Sequence, residues 1–160
     1  APVAQEFQQK LKTQLVAALT NGGPESAVSV CSQVAPAIAA AASGESGAEV
    51  SRIARKYRNP DAGVPAAMAS HYAALAAQPL SDGKPAVRIW RSGEGDDTRI
   101  HYLSAIPMQD QPCSVCHGTA VDPALKQHID SLYPGDLATG VKPGDLRGAM
   151  LISWQADEFQ

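Results

Sequence analysis

Cys113, Cys116 and His117 stand at C-x-x-C-H spacing, the attachment signature of a c-type haem. The residue types explain the pattern. Two thiols add across the vinyl groups of the porphyrin and become thioethers, and the two-residue spacer lets both sulfurs reach one edge of the macrocycle. The imidazole that directly follows Cys116 is carried beneath the iron and binds it from one face. The expected cofactor is one haem c, held covalently through Cys113 and Cys116, with His117 as an iron ligand.

Other chemistries fit these residues less well. A structural zinc site draws on a second ligand pair, and no second Cys-x-x-Cys exists. Cys31 would give three cysteines and one histidine, but adjacent Cys116 and His117 chelate a tetrahedral ion awkwardly. A thioredoxin-type pair expects a βαβ setting that the sequence does not show. A disulfide between Cys113 and Cys116 would close a small, strained ring.

The opposite face of the iron needs its own ligand. Candidates are Cys31, Met68, Met108, Met150, His71, His101 and His128. Met108 precedes the haem motif on a loop, and a methionine ligand would raise the potential. His71 and His128 border apolar helix faces and read as packed or surface histidines. His101 alternates on a strand and is expected to face solvent. Met68 and Met150 fall at core periodicity. A lone inward cysteine such as Cys31 is ordinarily a small buried hydrophobe. Here the other two thiols are committed and an iron needs a partner, so Cys31 and Met108 stand level on the residues alone.

The chain has 160 residues, the length of a single domain, expected over residues 1–160. Apolar content is 44%, much of it alanine, and aromatics are only 5%, so a buried macrocycle would supply missing apolar bulk. Net charge is −3 with no basic stripe, which argues against nucleic-acid binding. No run approaches the roughly 20 consecutive apolar residues of a membrane span. The opening Ala1-Pro2-Val3 resembles an end left by a signal peptidase. Haem attachment in bacteria occurs outside the cytoplasmic membrane, so export to the periplasm is expected.

The elements follow from periodicity. Phe7, Leu11, Leu15 and Leu19 share one face of a helix from Val3 to Leu19. Asn21-Gly22-Gly23 breaks it, and Pro24 opens a second helix. There Ala27, Cys31, Val34, Ala35, Ile38 and Ala42 form a stripe, with Pro36 predicting a kink just after Cys31. Ser46-Gly47-Ala48-Glu49 reads as a capping box that opens a helix carrying Val50, Ile53, Ala54 and Tyr57. A short helix follows over Pro65 to Ala77. Ala86 to Arg91 and Thr98 to Ile106 alternate as a hairpin. Asp122-Pro123 starts a helix bearing Leu125, Ile129 and Leu132, and Ala149 to Trp154 is a last strand. Helices first, then an antiparallel sheet interrupted by the haem segment, is an α+β order. Arg58 could pair with haem propionates or simply end its helix as a solvated arginine, and Arg147 poses the same choice.

The chain resembles the single-domain c-type haem proteins with a PAS-like fold found in cyanobacteria and as bacterial sensory domains. The stretches that carry the resemblance are Val30-Cys31 with Ala35-Pro36-Ala37-Ile38-Ala39; Arg58-Asn59-Pro60; Cys113-Ser114-Val115-Cys116-His117-Gly118; and Tyr133-Pro134-Gly135-Asp136-Leu137-Ala138-Thr139-Gly140 with Gly144-Asp145-Leu146-Arg147-Gly148-Ala149. They span nearly the whole chain in order; residues 60–85 match less clearly. The resemblance implies a PAS-like antiparallel sheet flanked by helices. It also implies His117 and Cys31 as the iron's axial pair.

Thiolate ligation would lower the reduction potential, and reduction would weaken the iron–sulfur bond. The expected role is a redox or diatomic-gas (NO/CO) sensor that switches its ligand at Cys31. The alternative is a low-potential periplasmic electron-transfer cytochrome. A third class is an enzyme such as a peroxidase or a nitrogen-oxide reductase, which needs an open iron and a distal acid or base, with His71 the first candidate for that group. A signalling protein or redox partner is expected, and the edges of a small sheet would support a homodimer.

Overall fold

The computed structural model describes residues 2–157. Helix α1 spans Pro2–Ser46 and is broken at Gly23, whose φ of 71° and ψ of −170° are non-helical. Glycine reaches a positive φ without a Cβ clash, so Gly23 divides α1 into residues 2–22 and 24–46. Pro36 lies inside the second segment, and Gly23 is the non-helical residue within α1. Ala4, Phe7 and Leu11 from the first segment are buried, and Val30, Ala35, Ile38, Ala39 and Ala42 from the second pack against the same cluster. By length and composition α1 is long and apolar enough to cross a membrane. A helix of a soluble protein's core passes the same test.

Strand β1 (Glu49–Ile53) follows, where a third helix was expected. Gly47 ends α1 with a φ of +67°. Ser46 Oγ bonds back to the carbonyl of Ala42, so this serine closes a helix instead of opening one. Val50 and Ile53 are β-branched, and pairing with a long C-terminal strand decides their conformation. After 3₁₀ turns at Pro60–Ala62 and Ala66–Met68 comes α2 (Ala69–Ala77), shorter than the helix expected from Pro65. The two-residue strands β2 (Leu80–Ser81) and β3 (Lys84–Pro85) form a small ladder. Strands β4 (Val87–Ser92) and β5 (Arg99–Pro107) make the expected hairpin. Then come α3 (Cys113–His117), α4 (Pro123–Leu132) and strand β6 (Leu146–Gln155). Asp122 caps α4 through the amides of Ala124 and Leu125, with Pro123 at the first turn.

The main sheet is antiparallel in the order β1-β6-β5-β4, and the fold is α+β. Alternation sends Val50, Met150, Ile152 and Trp154 to one face, under α1. Ile53, Leu103, Ala105, Ala149 and Leu151 face the other way, against Tyr72 and Leu75 of α2. His101, expected to face solvent, is buried (4% exposed) and stacks on Trp90. Serine hydroxyls flank its ring: Ser153 Oγ is 2.8 Å from Nδ1 and Ser92 Oγ is 2.6 Å from Nε2.

Neighbouring strands β5 and β6 are joined by a long excursion over residues 108–145. Its two ends meet: the Met108 amide donates to the Asp145 carbonyl at 2.8 Å, and the Gly144 amide donates to the Met108 carbonyl at 2.9 Å. The excursion carries α3 and α4 against the second segment of α1.

Candidate functional site

Helix α3 consists of the Cys113–His117 motif itself, so one helical turn sets the relative directions of Cys113, Cys116 and His117. Gly118 closes it by donating its amide to the Ser114 carbonyl. A Cβ on Gly118 would stand 2.5 Å from that carbonyl oxygen, so the residue after His117 must lack a side chain.

The returning loop pins the histidine. Val141 donates its amide to the His117 carbonyl at 3.0 Å, and Gly140 donates to Gly118 at 2.8 Å. His117 Nδ1 lies 2.7 Å from the Ala138 carbonyl. A carbonyl only accepts, so Nδ1 carries the proton and Nε2 keeps its lone pair for a ligand role. Desolvation holds the His117 pKa well below the usual histidine value, and the Arg147, Arg58 and Arg52 cations add to the effect against the opposing Ala138 bond.

Arg58 braces the motif from β1's side of the molecule. Its Nη2 donates to the Cys116 carbonyl at 2.8 Å, and its Nε is 3.0 Å from Asp136 Oδ1. Asp136 also accepts from the Ala138 amide, so one carboxylate links Arg58 to the segment that holds His117. Arg58 is 7% exposed. It is therefore not a solvated helix terminator, and its acid partner lies within the chain. Lys56 bonds the carbonyls of Thr139 and Gly140, and Arg147 Nη1 bonds the Lys56 carbonyl at 3.1 Å.

Cys31 approaches from α1. Val28 is buried with Leu125 and Ile129 in a cluster that includes Cys116, Val115 and Tyr133. Cys31 follows Val28 by three residues, on the same helix face. Burial raises the Cys116 pKa, and Cys31 and Cys113 add to that rise against the lowering effect of Arg58. All three thiols are free of disulfides.

Met150 is fully buried in the cluster under α1, and Met68 packs against the cluster beneath α2. His71 stacks on Trp90 at 3.7 Å, and His101 is held on β5 as described. Met108 is buried at the neck of the excursion. His128 sits on α4 with its Nε2 out of water and without a hydrogen-bond partner among the described residues.

A family model, the Tll0287-like family (Tll0287), matches residues 2–154. The chain belongs to the Tll0287-like family. The solved structure of the cyanobacterial heme-protein Tll0287 is 22% identical, with a TM-score of 0.65 over 96% of this chain and 92% of that one. The two therefore share a fold. A comparison with curated proteins found no match.

For this member of the Tll0287-like family, sequence reasoning missed the parts that hold the motif. The Ala138 carbonyl has no signature because it is backbone. Arg52 lay inside a segment read as helix. Asp136 belonged to the Tyr133–Gly140 stretch that carries the resemblance, with no role of its own assigned; an acid so close to Ala138 and an arginine at position 58 were the usable signals.

Proposed function

We propose that this chain is an exported c-type haem protein. Cys113 and Cys116 hold one haem covalently, His117 and Cys31 are the axial ligands, and exchange at Cys31 reports redox state or a diatomic gas. The observation that carries the reading is the free Nε2 of His117 beside two unbridged thiols, in a family whose namesake is a heme-protein. The donor set suits a haem better than a bare ion. Among the described residues no three His, Cys, Asp or Glu side chains gather to hold a metal. A macrocycle supplies most of the iron's donors itself and asks the chain only for an axial pair. We read the helix-flanked sheet as PAS-like, and attachment chemistry of this kind favours the periplasm.

When bound, the haem supplies a one-electron couple and an iron open to axial donors. The chain's residues do the rest. His117 presents a neutral nitrogen in a fixed tautomer. Cys31 offers an anionic sulfur that favours the ferric state. Pro36 lacks an amide proton, which leaves the Ser32 carbonyl without its usual helical donor one residue from Cys31. That weakened turn would give the sulfur room to move away from a reduced iron. A signalling or redox partner would then read the change.

The test is the absorption spectrum of the dithionite-reduced protein with and without carbon monoxide, on wild type and Cys31→Ala. Ligand exchange predicts a shift on adding the gas only after reduction, and a changed ferric spectrum in the variant. A reduced iron closed to carbon monoxide would make the protein an electron-transfer cytochrome instead. An unchanged ferric spectrum in Cys31→Ala would remove Cys31 from the ligand set.

A further inference from the structure

Arg52 and Arg147 are cations without an acid. Among the described residues neither has a carboxylate partner, whereas Arg58 has Asp136 and Arg99 has Glu49. Arg147 uses Nη1 on the Lys56 carbonyl, but its Nε is shielded from water with no acceptor. An unpaired desolvated guanidinium is costly, so its persistence calls for an anion that completes the site.

Geometry says where that anion sits. Arg52 stands opposite Met150 in the β1–β6 ladder, and strand alternation puts its side chain with Val50 on the face covered by α1, the helix that carries Cys31. Arg147 precedes Gly148 on β6, where a Cβ would lie 2.9 Å from the Ile53 carbonyl, so β1 and β6 approach closely at this point. Through Lys56, Arg147 is also tied to the Thr139–Gly140 backbone beside Ala138. Arg147 is the extra residue between the Ile106–Gly148 and Pro107–Leu146 pairs, a bulge that releases it from the alternation sending Ala149 and Leu151 to the opposite face, so the two arginines stand on adjacent strands. Arg147 thus stands by the loop that holds His117, and Arg52 under the helix that carries Cys31, so the pair would border a macrocycle held between those two residues.

We propose that Arg52 and Arg147 together seat the two haem propionates. The charges match: two guanidinium cations meet two carboxylates, and a guanidinium fork suits a carboxylate better than an ammonium does. The inference rests on the haem reading above.

The experiment uses the holoprotein carrying haem labelled with ¹³C in its propionate carboxylates. Redox-difference infrared spectra are recorded for wild type, Arg52→Gln and Arg147→Gln, with Arg52→Lys and Arg147→Lys as milder variants that keep the charge. A pyridine haemochrome assay checks covalent attachment first. The expected result is a shift of labelled carboxylate bands in each glutamine variant, and a smaller shift in each lysine variant as the fork is lost. Labelled bands that stay put in all four variants, with haem attached and the visible spectrum unchanged, would overturn the seat while leaving the haem reading intact. A wild-type protein that takes up no haem would overturn both.

Discussion

Arg58 Nε lies 3.0 Å from Asp136 Oδ1, with Arg58's side chain 8% and Asp136's 0% exposed. The pair is the beam between the Cys113–His117 helix and the loop that holds His117, because Arg58 also bonds Cys116 and Asp136 also bonds Ala138. Removing one partner leaves the other charge out of water. Arg58→Ala and Asp136→Asn should each cost about 3 kcal/mol in urea unfolding, and the double variant should cost less than their sum. Burial works against the Asp136 charge, but the Arg58 bond, the Ala138 amide and the Arg58 and Lys126 cations prevail and lower its pKa. The resulting stability is complete above the ordinary aspartate value, about 4, and drains away as pH falls through the lower folded value. Asp136→Asn should remove that acid-limb slope.

Gly118→Ala forces a Cβ to within 2.5 Å of a backbone oxygen that cannot swing away. The variant should lose about 1–3 kcal/mol, typical of overpacking, by thermal or urea unfolding. Because the strain falls on the turn that carries His117, haem incorporation measured per mole of chain should fall with it.

His101 gives a separate pH signature. Burial, then Arg99 and His71, lower its pKa, with Glu49 opposing. Above about pH 6.5 the ring is neutral in both folded and unfolded chains and contributes no slope. Below that, the unfolded chain takes a proton that the folded one refuses, so stability falls with pH until the lower folded value is reached. The slope should not exceed about 1.4 kcal/mol per pH unit. His101→Gln should flatten this limb, as read by urea midpoints between pH 4 and 8.

If Cys31 ligates the iron, Cys31→Met should exchange an anionic sulfur for a neutral thioether and raise the reduction potential. Potentiometric titration of wild type and variant checks the direction. An unchanged potential would mean that residue 31 stands apart from the iron.

What the sequence made legible were local signals. Asp122 and Pro123 announce α4, the alternation over residues 98–106 announces β5, and Gly23 announces the break in α1. The C-x-x-C-H spacing named the motif because its chemistry is contained in one helical turn. Strand β1 was illegible because Ser46-Gly47-Ala48-Glu49 imitates a helix start, and only pairing with β6 reveals Val50 and Ile53 as strand residues. His101 was misplaced because alternation gives two faces but not which one is covered, and here both are. The Arg58–Asp136 pair spans 78 positions, beyond the reach of any periodicity.

The neck at Met108 and Asp145 has a consequence for how such proteins diversify. The chain leaves the sheet and comes back to it at almost one point, sealed by backbone hydrogen bonds that any residue but proline can donate. The intervening stretch behaves as a cassette plugged into a socket between two neighbouring strands. Lengthening it, shortening it or exchanging its contents leaves the β5–β6 register untouched. Descendants of this architecture can therefore swap the chemistry of the cassette while inheriting the scaffold unchanged.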